Sequence, residues 1–172
     1  MRTAGMILFI SGPFGVGKTS VVKVIVEKTP NAMVYYPEVI GSALRGVLGP
    51  VKKVNDSEYY ALWRKLVVVV VARMLRAASA RTLVIPMTVW RRDYFDPILA
   101  RLHRIGLGLT RFRLTAAESE LTHRILSDSE DTGAYGWRMS HAEVYLRVSR
   151  DPAFGVEVPT DGLRPRRSQA IS

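Results

Sequence analysis

Residues 12–19 read Gly-Pro-Phe-Gly-Val-Gly-Lys-Thr, a complete G-x-x-x-x-G-K-[ST] motif. The apolar run MILFIS precedes it, and a segment with helical patterning follows from Thr19. That context is the confirming condition for a phosphate-binding P-loop. Each residue type has a task. Glycines let backbone N–H groups curl around a β-phosphate, and the helix N-terminus adds positive potential. Lys18 reaches the β/γ oxygens, and the Thr19 hydroxyl is placed to hold Mg²⁺. Gly12, Pro13, Phe14, Gly15, Val16, Gly17, Lys18, Thr19 and Ser20 are therefore the expected nucleotide contacts, with ATP and Mg²⁺ as ligands.

Further candidates lie downstream. Glu38 follows Pro37 at the end of a strand-like run, where a carboxylate would face the same crevice and accept a proton from a substrate hydroxyl. Arg45, Arg64, Thr88 and Arg91 are candidates for the acceptor side, the last two, with Arg92, because they follow a third strand directly. Arg124 ends a helix that precedes an acidic, Gly-bearing segment, 127–136, which reads as a lid, and Arg138 follows it. Those two arginines are the candidates to touch the base and the phosphates, because neutralising charge on a transferring phosphoryl group is the central task of kinases. His103, His123 and His141 fall on helix surfaces without metal-ligand spacing.

Alternating apolar and amphipathic segments must position these groups. Strands are predicted over 6–11, 32–36, 82–87, 108–115 and 156–158, and helices over 19–28, 38–48, 57–80, 93–105, 117–126 and 138–150. In the 57–80 helix Ser57 is the expected N-cap. The five valines at 67–71 favour strand, but their flanks are helical in composition. The pattern predicts an α/β fold of P-loop NTPase, nucleoside-kinase-like type: five parallel strands, helices on both faces and a lid at about 127–137. One domain is expected over 1–163, followed by a basic, polar tail, 164–172, expected to be disordered.

The chain has 172 residues, 25 Lys+Arg against 15 Asp+Glu, and no cysteine. The length suits a single domain. The missing cysteines exclude disulfide scaffolds and thiolate chemistry and point to a cytoplasmic setting. Nearly all of the +10 surplus sits in residues 64–113, where eleven basic residues face two acidic ones. This excess suits anionic ligands, yet most of these arginines are expected on solvated helix faces, and no nucleic-acid-binding motif accompanies them. No signal peptide or transmembrane span is expected, since the longest uncharged apolar stretch, 66–72, is far below the ~20 residues that a spanning helix needs. A guanine-reading N-K-x-D is absent, and the strand TLVIPM ends without a carboxylate, which favours small-molecule kinases over GTPases and motor-like ATPases.

GPFGVGKT, then YYPEVIGSALRGVL, YYALWRKL and LVIPMTVWRRDYFDPILARL together resemble the bacterial tunicamycin-resistance proteins, small P-loop ATP-binding proteins of the nucleoside and small-molecule kinase type. The likeness covers roughly residues 6–150. It implies ATP binding, protection against a nucleoside antibiotic such as tunicamycin by phosphorylation or by sequestration, and peripheral association with the inner face of the cytoplasmic membrane through an amphipathic C-terminal helix. Here the residues after Val158 read as a turn and the polar PRRSQAIS. A more distant similarity to chloramphenicol phosphotransferase implies a base at the position of Glu38. The expected function is transfer of the ATP γ-phosphate to a hydroxyl of a small acceptor, with antibiotic sequestration or a small-metabolite kinase as alternatives.

Overall fold

The computed structural model describes residues 5–54, 56–77, 82–105, 108–127, 144, 146 and 150–163. The lid proper, Arg138, His141, most of the predicted 138–150 helix and the tail lie outside the described residues.

Five strands form one parallel sheet in the order β2-β3-β1-β4-β5: β1 (Met6–Ser11), β2 (Ala32–Val34), β3 (Thr82–Pro86), β4 (Gly108–Thr115) and β5 (Val156–Pro159). Their period-2 alternation divides the core. Ile7, Phe9, Leu83 and Ile85 pack on one face; Leu8, Ile10 and Val84 pack on the other. Sheets buried on both faces read as near-continuous apolar runs, which is why MILFIS and TLVIP carry no polar alternation. α3 (Ala61–Ala77) and α4 (Arg92–Arg104) cover the first face through Trp63, Val67, Val71, Phe95, Ile98 and Leu102. α1 (Lys18–Lys28) and α5 (Glu118–Leu126) cover the second through Val22 and Leu121. Among the described residues, no helix is long and apolar enough to cross a membrane.

The valine run stays helical because burial decides it. Trp63, Val67 and Val71 recur every fourth residue and are all buried, whereas Val69 faces solvent. Packing of that stripe outweighs the few tenths of a kcal/mol by which each β-branched residue disfavours a helix.

The predicted 57–80 helix begins later than its composition indicates. Ser57–Tyr59 forms a separate 3-10 turn, Tyr60 is extended, and α3 starts at Ala61. Ser57 is therefore not the N-cap of α3. Asp56 occupies the cap position of the short turn. Ser57 is buried, and its Oγ accepts a hydrogen bond from Arg45 at 3.0 Å. Tyr60 fixes the break by donating its hydroxyl to the Lys52 carbonyl at 2.7 Å.

The turn seats on α2 (Pro37–Leu48) at Gly41, where a Cβ would overlap Ser57 Oγ and lie 2.6 Å from Ser57 Cβ. Gly41→Ala should cost about 1–3 kcal/mol, the range of a buried overpacking. Urea denaturation should show the midpoint falling, and an unchanged midpoint would mean that the turn yields freely.

Candidate functional site

β1 is the central strand, flanked by β3 and β4; the chain leaves β1 toward β2 on one side and β4 toward β5 on the other, so the strand order reverses between the carboxyl ends of β1 and β4. In open α/β sheets ligands bind at such a switch point. The glycine-rich loop begins there. Gly12, Gly15 and Gly17 have φ of 149°, 75° and 96°, a region that residues with a Cβ rarely enter. Gly17, left-handed at the N-cap of α1, carries no side chain to bond the first helical N–H groups. The start of α1 thus keeps its donors and its positive dipole end for an anion. Lys18 Nζ donates to the carbonyls of Gly12 at 2.9 Å and Pro13 at 2.8 Å, bridging the loop, and lies 5.5 Å from the centroid of the Phe14 ring. Thr19 is exposed in the first turn of α1 and Ser20 follows it, half-buried. Residues 12–20 thus run from the end of β1 into the first turn of α1, and the donors gathered there fit a polyphosphate.

Glu38 is brought to the same end of the sheet. Pro37 opens α2, and its carbonyl accepts the Trp63 indole N–H at 2.9 Å, which pins the helix start to α3. Glu38 Oε1 accepts the Thr88 backbone N–H at 3.4 Å, just beyond β3. Although Glu38 as a whole is exposed, protein atoms crowd its carboxyl. This desolvation raises its pKa above the ordinary range; its own amide, the Lys18 charge and the Thr88 amide pull it back. Its neighbour Tyr35 is pushed up to about 12, by burial first and the Glu38 charge second.

Arg124 is ordered against the loop. Its Nε donates to Glu120 at 2.8 Å and its Nη2 to the Thr160 carbonyl at 2.7 Å, while Nη1 lies 3.5 Å from the Gly15 carbonyl and 3.4 Å from that of Val16. Thr160, missed in the sequence, is buried and joins the clamp by donating Oγ1 to the Val16 carbonyl at 2.9 Å. Arg124→Ala should lower stability by about 2–3 kcal/mol, since charge-assisted bonds to several carbonyls disappear together. It should also weaken ATP binding through the loosened loop. Chemical denaturation and nucleotide titration check the two effects separately.

The acceptor-side candidates divide. Arg64 donates to the Glu58 carbonyl and stacks 4.1 Å from the Tyr94 ring centroid. Arg91 lies 4.5 Å from the same ring and pairs with Asp93 at 2.6 Å. Tyr59 meets Trp90 and Tyr94 edge-to-face at 6.3 and 5.9 Å, completing an aromatic cluster beside the β3 exit. Arg45 instead binds Ser57 and Ser42, and Arg92 pairs with Asp96 at 3.0 Å. His103 and His123 are exposed, and no group of three or more metal-ligating side chains occurs among the described residues.

No protein-family model and no curated protein matches the sequence. The fold is that of the P-loop kinases. A tunicamycin resistance protein from Deinococcus radiodurans superposes with a TM-score of 0.73 at 27% identity, covering 94% of this chain and 89% of that one. A gluconokinase from Sinorhizobium meliloti superposes at 0.59 with 19% identity (94% and 85% covered). An APS kinase from Mycobacterium tuberculosis, in complex with AMPPNP and APS, superposes at 0.56 with 15% identity (96% and 91% covered). The likeness to tunicamycin-resistance proteins read from the sequence is thus present in three dimensions as well, and the two kinases establish the fold.

Proposed function

We propose that this chain transfers the γ-phosphoryl group of ATP to a hydroxyl of a small neutral acceptor, and that the acceptor is a nucleoside-like antibiotic of the tunicamycin class. The observation that carries the reading is the convergence of Lys18, Glu38 and Thr88 where β1 and β3 end. The tunicamycin resistance protein with which the chain superposes supports the acceptor class.

In this reading the loop 12–20 holds the polyphosphate, with Lys18 on its outer oxygens. Mg²⁺ would neutralise phosphate charge; the Thr19 hydroxyl and phosphate oxygens would hold it, as suits an ion that keeps most of its water and takes few protein ligands. Glu38 accepts the acceptor hydroxyl's proton while that oxygen bonds to the γ-phosphorus and the bond to the ADP oxygen breaks. Its raised pKa makes Glu38 a better base than an ordinary carboxylate while the Lys18 charge keeps it ionisable. Arg124 borders the loop that would hold the nucleotide, and Arg138, outside the described residues, is the candidate to meet the phosphates.

The test is incubation with Mg-ATP and tunicamycin, followed by ADP determination and product mass. An acceptor-dependent ADP signal with a product heavier by one phosphoryl group is expected. Binding of both ligands with no such product would replace transfer by sequestration.

A further inference from the structure

Phe14 occupies a position on which the phosphate-binding motif sets no requirement, because the cradle needs glycines, backbone N–H groups, Lys18 and Thr19 but no ring. The loop's other apolar side chains are committed to packing. Pro13 is buried, and Val16 is fully buried with Val22 of α1 and Leu121 of α5. Phe14 is half-buried and joins neither core cluster. Its ring centroid lies 5.5 Å from Lys18 Nζ, within cation–π range, while the same ammonium donates to the Gly12 and Pro13 carbonyls at 2.9 and 2.8 Å. The ring is therefore a hydrocarbon border to the charge that the outer phosphate oxygens would meet.

Position ties this border to the reacting end of the site. The Ile10 carbonyl accepts the Met87 N–H at 3.0 Å, which holds the end of β1 against the exit of β3. Gly12, two residues past Ile10, carries a carbonyl that Lys18 bonds, and Thr88, one residue past Met87, carries the amide that Glu38 accepts at 3.4 Å. Cα atoms two residues apart are separated by at most about 7 Å. Lys18, the Phe14 ring beside it and the Glu38 carboxyl are thus gathered at one end of two adjacent strands. Water is a competitor for any acceptor hydroxyl there. Its oxygen would bond to the γ-phosphorus, the bond to the ADP oxygen would break and the proton would pass to Glu38, giving ADP and inorganic phosphate. A general base does not distinguish water from an alcohol, so the distinction must come from access.

We propose that the Phe14 ring screens the γ-phosphoryl group from bulk water, so that the acceptor hydroxyl receives it and water does not. The inference rests on the kinase reading above and assigns Phe14 as the residue that sets the choice between acceptor and water in that site. An aromatic ring suits the task twice, since it displaces water over a wide area and its negative face tolerates the ammonium beside it. Excluding water also strengthens the attraction between Lys18 and phosphate, because charges act more strongly where the local dielectric is low. A ring that only stiffened the loop would alter ATP affinity and stability and leave the division between acceptor and water unchanged.

The experiment follows inorganic phosphate and phosphorylated product separately at saturating Mg-ATP, with and without tunicamycin, in wild type, Phe14→Ala and Phe14→Leu. Phe14→Ala should raise phosphate release by about tenfold or more, because water enters the space that the ring leaves. Phe14→Leu keeps apolar bulk and should recover most of the screen, releasing at most about a third as much phosphate as Phe14→Ala. A second readout needs no turnover. In protein labelled with 4-fluorophenylalanine, with the Phe14 resonance assigned by its loss in Phe14→Leu, the fluorine solvent-isotope shift between H2O and D2O should be smaller with Mg-AMPPNP than with Mg-ADP. Unchanged phosphate release in a folded Phe14→Ala, release from Phe14→Leu as high as from Phe14→Ala, or an equal isotope shift in the two complexes each overturns the proposal. If Phe14→Ala does not fold, the isotope shift decides alone. Phosphate release that rises in Phe14→Ala while no variant and no wild type yields a phosphorylated product retains the screen and overturns transfer to tunicamycin; product formation with unchanged phosphate release does the reverse.

Discussion

Lys18→Ala should reduce ATP affinity at least ~10²-fold and reduce turnover by ~10²–10³ at saturating ATP, the usual loss when one preorganised charge stabiliser is removed, about 2.7–4 kcal/mol. The structure gives the lysine two tasks, which makes the prediction sharper. Its ammonium bridges the Gly12 and Pro13 carbonyls, so it helps to hold the loop in the shape that presents backbone N–H groups. It also supplies the positive charge felt by Glu38. Loss of the bridge should cost about 1–3 kcal/mol of stability without nucleotide. Loss of the charge should raise the Glu38 carboxyl further and blunt it as a base near neutral pH. Measuring thermal stabilisation by Mg-ATP in wild type and variant separates these effects, because stabilisation by a ligand follows its affinity. Unchanged stabilisation in Lys18→Ala would remove the nucleotide assignment itself.

The P-loop was legible because its chemistry is local: residues 12–19 and the runs beside them specify strand, turn and helix without distant help. The sheet was legible because strands buried on both faces are short, apolar and bounded by glycine or proline. The acceptor side was not. Ser57-Glu58-Tyr59 continues smoothly into a helical pattern, and its separate turn depends on distant partners: Gly41, sixteen residues earlier, leaves room for Ser57, and the Lys52 carbonyl holds the Tyr60 hydroxyl. The arginine surplus also divided in ways that composition cannot reveal. Arg73, Arg76, Arg101 and Arg104 lie on exposed helix faces as expected, whereas Arg113 is buried on β4 and paired with Glu157 at 2.8 Å. A buried arginine on an internal strand depends on a partner 44 residues away. Thr160 shows the same limit, because its role depends on contact with Val16 and Arg124 across the fold.

Glu38→Gln should abolish acceptor-dependent ADP formation by ~10²–10⁴, the range for a lost general base, while ATP binding stays within about threefold. The amide keeps the size of the carboxyl and can still accept the Thr88 N–H, so α2 and the β3 exit should hold their positions. Only proton acceptance disappears. The pH profile provides the independent check. A base must be ionised to act, so wild-type kcat/KM is lost as pH falls through the Glu38 pKa. Desolvation has raised that pKa above the ordinary carboxylate range, so this acidic limb should lie at higher pH than for an unperturbed glutamate. The limb should vanish in Glu38→Gln, whose residual rate should be flat there. Shifts in the same direction are expected from the two variants around this pair: Lys18→Ala moves the limb upward by removing a positive neighbour, and Thr88→Pro, which deletes the amide donor, moves it upward by a smaller amount. Were Glu38→Gln to retain full turnover with an unchanged limb, the proton would leave by another group. Were the wild type to show ATP and acceptor binding but no turnover at any pH, Glu38 would be an acceptor contact in a protein that sequesters its ligand.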